Sequence, residues 1–456
     1  MSKKYISSLF IFRRDLRLND NTGLIAALEQ SEHVLPCFIF DPAQVTTINK
    51  YKSDHALQFM LASLEDLADQ LAQRNARLYF FYGNPADVVS MLIQEQHVDA
   101  VFVNKDYTPF SHKRDQAIEA TCKKHGIEFL AHADALLNEP ADALKKDGKP
   151  YTVFTPFFNN AARLPVAAPR LNRHTNYLTK HIAQHTEKTF IPTPNHDLFA
   201  TGGSSAAHAL LKRMSSFAQY EHERNLPAHA GTTGLSAHLK FGTCSVREVF
   251  HAIAEGLGTH HPLLRQLYWR DFFSHIAYHF PHVFGHAFHE EYDHIKWPGN
   301  LKLFHAWCTG NTGFPLVDAG MRQLNATGWM HNRVRMVVAS FLVKDLLLDW
   351  RLGEQYFATK LVDYDPAVNN GNWQWAASTG CDAQPYFRIF NPWLQQKTYD
   401  PDCAYIKHWV PELRNLASPQ IHAWHRTAAP SAGRYPKPIV QHEVASKLAI
   451  DLFKRY

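Results

Sequence analysis

The amino-acid sequence predicts an α/β N-terminal domain built on a doubly wound parallel sheet, followed by a larger all-helical domain. Short apolar runs alternate with longer amphipathic stretches over the first third of the chain, which is typical of strands and helices that form a parallel sheet. All ten tryptophans lie at or after Trp269, so the remainder of the chain has a different composition. The predicted boundaries are 1–132 for the α/β domain, 133–204 for a surface connector rich in Pro, Asn, Thr and His, and 205–456 for the helical domain.

The individual elements of the first domain follow from hydrophobic periodicity. Leu57, Leu61 and Leu64 recur at intervals of three and four, which indicates one face of a helix. Short apolar runs such as SLFIF and VLPCFIF indicate strands. The predicted strands cover residues 8–12, 34–40, 77–82 and 100–104, and the predicted helices cover 23–29, 55–73 and 85–94.

Composition and charge set broad limits on function. The chain has 456 residues, a formal net charge of +5 and a pI of about 8.7, which fits a polyanionic partner but also many soluble enzymes. Its six cysteines are scattered without a CxxC pair, which predicts buried, reduced thiols rather than disulfides or a zinc site. No apolar run suits a signal peptide or a membrane span, so a cytoplasmic protein is expected, and we expect a monomer.

Three segments place aromatic and polar side chains on common helical faces. These faces comprise Gln266, Trp269, Arg270 and Phe273; Trp329, Asn332, Arg333 and Met336; and Asp365, Asn369 and Trp373. Aromatic, guanidinium and amide groups together suit a planar heteroaromatic ligand or an unstacked base. One such face is more often core packing, but three in one region favour a ligand site.

A turn at residues 231–236 (GTTGLS) precedes a predicted helix that begins near Ser236. Backbone N–H groups and hydroxyls at a helix N-terminus can bind phosphate, although the same residues are ordinary helix caps. The chain has neither a Walker phosphate loop nor a GxGxxG motif, so a nucleotide would have to bind in another way.

Long ungapped motifs extend over most of the chain, from about residue 10 to 440. They are TGFPLVDAGMRQL, TGWMHNRVRMVVASFLVKDLLLDW, NNGNWQWAASTG and PYFRIFNP, with YEHERNLPAHAGTTGLSAHLKF and FRRDLRLNDN nearer the N-terminus. These motifs resemble the DNA photolyase and cryptochrome family, and within it the class I photolyases that repair cyclobutane pyrimidine dimers. The resemblance implies an N-terminal antenna-chromophore domain and a helical domain that binds FAD and damaged DNA.

The resemblance also implies roles for individual residues. Asn369 would face N5 of the flavin, Arg335 would pair with Asp363, and Trp297, Trp350 and Trp373 would pass electrons to photo-oxidised flavin, although core packing explains these tryptophans as well. The other implied FAD contacts are Tyr220, Thr232, Thr233, Gly234, Leu235, Ser236 and Asp365. The implied DNA contacts are Arg224, Gln266, Trp269, Arg270, Asn332, Arg333, Met336 and Trp375.

The expected lesion type depends chiefly on Asn332 and Met336. The (6-4) photolyases keep two catalytic histidines at the matching positions, so we expect reduced, light-excited FAD to donate an electron to a flipped-out cyclobutane dimer instead. Asn369 also favours repair, since cryptochromes often carry Asp or Cys there. Gln266 stands where dimer-repairing members usually carry Glu, which predicts slower repair. The alternatives are (6-4) repair and cryptochrome-type light sensing; an ordinary flavin oxidoreductase lacks a recognisable nicotinamide site.

The resemblance further implies a second, antenna chromophore. Ser111 stands where folate-binding members carry Glu, whereas Asp106 and Lys240 resemble antenna contacts of deazaflavin-binding members. A deazaflavin-like antenna is therefore favoured, and methenyltetrahydrofolate is the alternative. Arg14 and His55 are further candidate contacts, and no metal site is expected.

Overall fold

The computed structural model describes residues 3–182, 190–383, 388–427 and 435–456, so the predicted motif PYFRIFNP lies partly outside the described residues. The chain forms two compact units, which we call unit 1 and unit 2. Unit 1 comprises Met1–Pro194, Ala200–Ser216 and Gly234–Pro281, and unit 2 comprises Asn195–Phe199, Phe217–Thr233 and His282–Tyr456. The division at residues 132 and 204 stays a prediction.

Regular structure in the described residues consists of five strands and a larger number of helices. The strands are β1 (Tyr5–Phe12), β2 (Ser31–Phe40), β3 (Tyr79–Tyr82), β4 (Ala100–Asn104) and β5 (Glu128–His132). The α-helices are α1 (Thr22–Gln30), α2 (Pro42–Val45), α3 (Asp54–Ala72), α4 (Pro85–Gln96), α5 (Pro109–Lys124), α6 (Phe154–Ala161), α7 (Ser204–Leu211), α8 (Tyr220–Glu223), α9 (Ser236–Phe241), α10 (Val246–Leu257), α11 (Leu264–His279), α12 (Leu301–Cys308), α13 (Pro315–Thr327), α14 (Asn332–Ser340), α15 (Trp350–Lys360), α16 (Pro366–Ala377), α17 (Pro392–Tyr399), α18 (Ala404–Trp409), α19 (Ser418–His422), α20 (Trp424–Thr427) and α21 (His442–Phe453). Short 3-10 turns cover Met214–Phe217, Pro281–Val283, Glu290–His294 and Pro411–Leu413, and a π-helical turn covers Phe341–Asp345.

Unit 1 is built on a wholly parallel sheet with strand order β3-β2-β1-β4-β5. Leu9 of β1 lies opposite Leu35 and Val101 in the two neighbouring strands. The four strands predicted from apolar runs are confirmed. Strand β5 (EFLAH) is not predicted, because its side chains are exposed or only partly buried and its sequence has no clear apolar run. The chain runs from the central β1 outwards through β2 to β3, and then crosses to the other side of β1 for β4 and β5. This reversal makes a topological switch point at the carboxyl ends of β1 and β4.

Helices cover both faces of this sheet, which confirms the doubly wound fold. Leu9 and Ile11 share one buried cluster with Leu92 of α4 and Ile118 of α5. On the opposite face, a Cβ at Gly23 in α1 would lie 3.1 Å from the ring of Phe10. Because successive strand residues point to opposite faces, β1 is apolar almost throughout rather than alternating.

Unit 2 is helical around a core that includes Trp307, Phe341 and Trp350, each fully buried. The helix predicted through Asp365, Asn369 and Trp373 is present as α16 and includes Gly371. All six cysteines are buried and free, as predicted. In the described parts of the chain, no group of three or more His, Cys, Asp and Glu side chains is suited to a metal ion. No described helix combines the length and apolarity needed to span a membrane.

Candidate cofactor and nucleic-acid site

Helix α14 carries Asn332, Arg333, Arg335 and Met336 in its first turns. Its N-cap is His331, whose Nδ1 accepts the backbone N–H of Arg333 at 3.2 Å. Burial and the nearby arginines lower the pKa of His331 to about 4, so its ring is neutral at neutral pH. The cap therefore fixes where the helix begins and how its first side chains are arranged.

The prediction that Trp329 shares the helical face of Asn332 and Met336 is wrong. Backbone at His331 is non-helical, with ψ at 136°, and α14 begins only at Asn332. Trp329 instead stacks on Phe199, with ring centroids 4.0 Å apart. Side-chain spacing alone could not reveal that His331 caps the helix and that the helix begins after Trp329, because His is not among the usual N-cap residues.

The predicted pair of Arg335 and Asp363 is present. Arg335 donates from Nη2 to Asp363 Oδ2 at 2.9 Å and from Nε to the carbonyl of Met330 at 2.7 Å. Asp363 Oδ1 is buried and accepts no hydrogen bond from the described residues. A buried carboxylate oxygen without a donor is costly, so this atom fits a ligand that brings an N–H or O–H group.

Helix α16 positions three more predicted residues. Asp365 is its N-cap and accepts from the backbone N–H groups of Ala367 and Val368 at 3.0 and 3.2 Å. One turn later the buried Asn369 donates from Nδ2 to the carbonyl of Glu354 at 3.1 Å. Burial raises the pKa of the Glu354 carboxyl to about 7, although a hydrogen bond with Asn369 opposes the shift. The amide of Asn369 is thus held beside an acid that is partly protonated at neutral pH.

The three predicted electron-transfer tryptophans differ in burial. Trp373 and Trp350 are 2% and 0% exposed, whereas Trp297 is half-buried and contacts Phe453 edge-on. A Cβ at Gly353 in α15 would overlap the ring of Trp373, so glycine there allows the two helices to pack closely. Trp373 and Trp350 therefore lie in the interior, and Trp297 is the member of the three nearest to solvent.

Arg333 and Arg224 lie in a polar region of unit 2. Arg333 donates from Nε and Nη2 to Asn225 Oδ1 at 3.2 and 2.8 Å, and its guanidinium lies 4.4 Å from the ring centre of Tyr399. The guanidinium of Arg224 lies 5.7 Å from the ring centre of Tyr220. Neither arginine forms an ion pair within the described part of the chain.

In unit 1, α11 carries Gln266, Trp269 and Arg270, as predicted. Trp269 stacks on Phe154 with centroids 3.5 Å apart, so one face of its indole is already covered. Arg270 donates to the carbonyls of Ala135 and Leu239, which shows a structural use of its guanidinium. The DNA contacts of α11 stay predictions, and Gln266 is half-buried.

The remaining implied FAD contacts fall in both units. Tyr220, Thr232 and Thr233 belong to unit 2, while Gly234, Leu235 and Ser236 belong to unit 1. Gly234 has φ +69°, a left-handed conformation that suits glycine. The implied DNA contacts of unit 2 include Asn332, whose Nδ2 is 3.9 Å from Met336 Sδ, and the half-buried Trp375. The roles of all these residues stay predictions.

Two of the candidate antenna residues, Arg14 and Asp106, lie at the switch point of unit 1. Arg14 follows β1, Asp106 follows β4, and Arg14 Nη1 donates to Asp106 Oδ1 at 3.3 Å. Arg14 Nε also donates to the carbonyl of Lys240 at 3.1 Å. Burial opposes ionisation of Asp106, but Arg14, Arg114, Lys240 and Arg13 outweigh it and hold its pKa well below the ordinary value. Asp106 therefore stays ionised among four cations, two of which, Arg13 and Arg114, also pair with Asp115. His55 lies in the first turn of α3.

Sequence reasoning missed several residues that shape these regions. Asn225 and Tyr399 contact Arg333 from distant parts of the chain, and Trp307 lies 6.2 Å from Trp373 between ring centres. Glu354 offered a usable signal, since it is four residues after Trp350 and an acid on that helical face is unusual. Asn225 and Tyr399 gave no local signal.

Comparison with known proteins identifies relatives over the whole chain. Residues 263–455 match the family described as FAD binding domain of DNA photolyase, and residues 8–172 match DNA photolyase. A deoxyribodipyrimidine photo-lyase from Synechococcus is 37% identical, with 96% of this chain and 94% of the relative covered.

The solved structures similar to this chain include a photolyase and a cryptochrome. The crystal structure of an archaeal photolyase from Sulfolobus tokodaii with two FAD molecules has a TM-score of 0.90 and 43% identity, covering 99% of this chain and 100% of that one. A Synechocystis cryptochrome has the same TM-score of 0.90 at 26% identity, covering 99% of this chain and 100% of its own.

Proposed function

Since the chain belongs to the DNA photolyase family, we propose that it repairs cyclobutane pyrimidine dimers in DNA by light-driven electron transfer from reduced FAD. Relatives named deoxyribodipyrimidine photo-lyase support the broader activity. The observation that carries the lesion type is the pair Asn332 and Met336 at the start of α14. Neither side chain can donate or accept a proton at neutral pH, which suits ring opening by an electron rather than acid catalysis.

The residues of unit 2 fit FAD. Asp363 Oδ1 is a buried acceptor without a donor among the described residues, and Asp365 and Asn369 supply buried polar groups on the neighbouring helix. Bound FAD in its reduced form would supply the electron when excited by blue light. Arg335 would hold Asp363 ionised and oriented through its 2.9 Å bond, and Asn369 would present a neutral amide to the flavin.

Trp373, Trp350 and Trp297 would supply the electron that restores the reduced state. The first two are buried and the last is half-buried, so the last member can meet an external reductant. Trp373 is fixed by Phe357, edge-on at 4.9 Å, and by the close approach of Gly353. A rigid position matters, since electron transfer depends on the separation of donor and acceptor.

DNA would be held through its phosphates by Arg224 and Arg333, with the dimer flipped out of the duplex. Extrusion costs a few kcal/mol, and less for a damaged, poorly stacked pair, so part of the selectivity lies in the lesion itself. On this proposal the half-buried Trp375 of unit 2 would stack on the dimer, while Asn332 and Met336 would line it. Gln266 and Trp269 of unit 1 are proposed as further DNA contacts.

We also propose a flavin- or deazaflavin-like antenna at the switch point of unit 1, with folate as the second candidate. The four cations that act on Asp106 support an anionic chromophore. The related Sulfolobus structure, which contains two FAD molecules and implies a novel light-harvesting cofactor, supports the flavin option. The absorption spectrum of the pigment released from purified protein distinguishes a flavin, a deazaflavin and a folate.

The deciding experiment uses two defined oligonucleotides, one with a cyclobutane dimer and one with a (6-4) product. Fully reduced protein should restore the first under blue light and leave the second unchanged. Trp373→Phe should repair normally when FAD is reduced chemically, yet fail to photoreduce oxidised FAD. Photoreduction without any lesion loss in the wild type would instead favour a light sensor, for which the similarity to a cryptochrome at 26% identity is the supporting observation.

A further inference from the structure

Two arginines on α14 are held in opposite ways. Arg335 forms an ion pair with Asp363, so its charge is largely compensated. Arg333, two residues earlier, is held by the neutral amide of Asn225 and by the ring of Tyr399. Among the described residues, no carboxylate lies within ion-pair distance of Arg333.

Hydrogen bonds orient Arg333 without using all its donors. A guanidinium has five N–H groups, and Asn225 Oδ1 accepts from two of them, Nε and Nη2. The other three N–H groups have no acceptor among the described residues. The ring of Tyr399 supports one face of the guanidinium at 4.4 Å, a favourable cation–π geometry that adds no negative charge.

Arg224 adds a second positive charge to this region. Burial lowers the pKa of Arg333; Tyr399 opposes that shift, and Arg224 adds to it by repulsion. Two like charges kept close without a counter-ion are costly in the free protein, unless a bound anion compensates them. Both arginines are partly exposed, so an anion can reach them from solvent.

We propose that Asn225 and Tyr399 are positioning residues that hold Arg333 as an uncompensated cation for a DNA phosphate. The inference rests on the proposed DNA repair function and deepens it, because it names what tunes the affinity. Asn225 supplies orientation without charge. An aspartate of the same shape would orient Arg333 equally well but would neutralise it.

The test measures binding of the Asn225→Asp variant to a fluorescent duplex at salt concentrations from about 50 to 200 mM. Each phosphate contact contributes about 0.9 to the slope of log K against log salt, so the loss of one contact can be measured. The slope of log K against log salt should fall by about 0.9, with affinity about tenfold lower at the lowest salt. Asn300→Asp is the matched control, since it adds the same charge at the exposed N-cap of α12, where Asp caps as well as Asn. It should leave the slope unchanged. Equal slopes for the two variants would overturn the proposal.

Further variants separate orientation from charge. Arg333→Gln should lower the slope as much as Asn225→Asp, because each change removes one net positive charge from the phosphate contact. Tyr399→Leu should reduce affinity several-fold with the slope retained, while Tyr399→Phe, which keeps the ring, should restore affinity. A slope for Arg333→Gln equal to that of the wild type would contradict the proposal.

The outcomes also distinguish this inference from the repair function. Undamaged duplex is measured alongside dimer-containing duplex. If the wild type fails to repair dimers while Asn225→Asp still lowers the slope on undamaged DNA, the repair function is wrong and the inference stands. If the wild type repairs dimers normally while both Asn-to-Asp variants have identical slopes, the inference is wrong and the repair function stands.

Discussion

Two carboxyl groups, the half-buried Asp106 in unit 1 and the buried Glu354 in unit 2, lie in opposite electrostatic surroundings. Burial favours the neutral form of each. Around Asp106, Arg14 and three further cations outweigh burial and hold the pKa well below the ordinary value. Burial also raises the pKa of Glu354, and because Asn369 and Arg351 lower it only weakly, the pKa rises to about 7. Unit 1 thus keeps a permanently charged cluster, whereas unit 2 keeps a nearly neutral interior beside Asn369.

The comparison shows that the kind of ligand a site suits depends on which of its charged side chains are compensated by neighbouring protein groups. The Asp106 cluster gathers four cations around one carboxylate, and a cation-rich cluster suits an anionic ligand. The surroundings of Asn369 offer amide and carboxyl groups of little net charge, which suit an uncharged, planar ring system. Changing one carboxyl group at a time tests this contrast between the two units.

The largest effect is expected from Glu354→Gln. Because the pKa of Glu354 rises from about 4.5 unfolded to about 7 folded, ionisation opposes folding, and the native state loses stability as pH rises through this window. The variant lacks this loss and should be more stable than the wild type by about 3 kcal/mol at pH 8, with the difference vanishing near pH 4.5. Melting temperatures across this pH range test it. The exposed Glu290→Gln is the control, and parallel curves for Glu354→Gln and wild type would contradict the assignment.

A smaller, opposite effect is expected from Asp106→Asn. The lowered pKa means that Asp106 is fully ionised at pH 7, so its whole contribution to stability is present there and is lost only in strong acid. Removing it leaves Arg14 beside other cations and should cost about 2 kcal/mol at pH 7. Urea denaturation should show a lower midpoint. Asp54→Asn, which breaks the exposed pair with Lys52, should cost less than about 0.5 kcal/mol; a similar loss in both variants would show that the cluster has no special role.

The smallest effect is expected from placing a carboxylate at position 266 in α11 of unit 1, where this chain has Gln. Gln266→Glu should raise repair per absorbed photon about fivefold, since a charge-assisted hydrogen bond exceeds a neutral one by about 1 kcal/mol. Quantum yields on dimer-containing oligonucleotides measure it. The exposed Gln44→Glu in α2 controls for added charge. An unchanged yield in Gln266→Glu would remove Gln266 from the set of lesion contacts.

Much of the fold follows from local patterns. Periodicity predicts strands β1 to β4 and helices α3, α4 and α16, because burial repeats with the geometry of each element. The family motifs predict the Arg335–Asp363 pair, which is present. The predicted helical face through Trp329 is wrong, since the cap at His331 interrupts a spacing that otherwise looks helical.

The sequence by itself determined the parallel sheet, the helical character of the second half and the membership of the photolyase family. Only the tertiary structure decided which charges are compensated. Arg333 and Arg335 look alike in the sequence, yet one meets Asn225, 108 residues away, and the other meets Asp363. The physical reason is that periodicity reports which face of an element is buried, while the partner across that face depends on how distant segments pack.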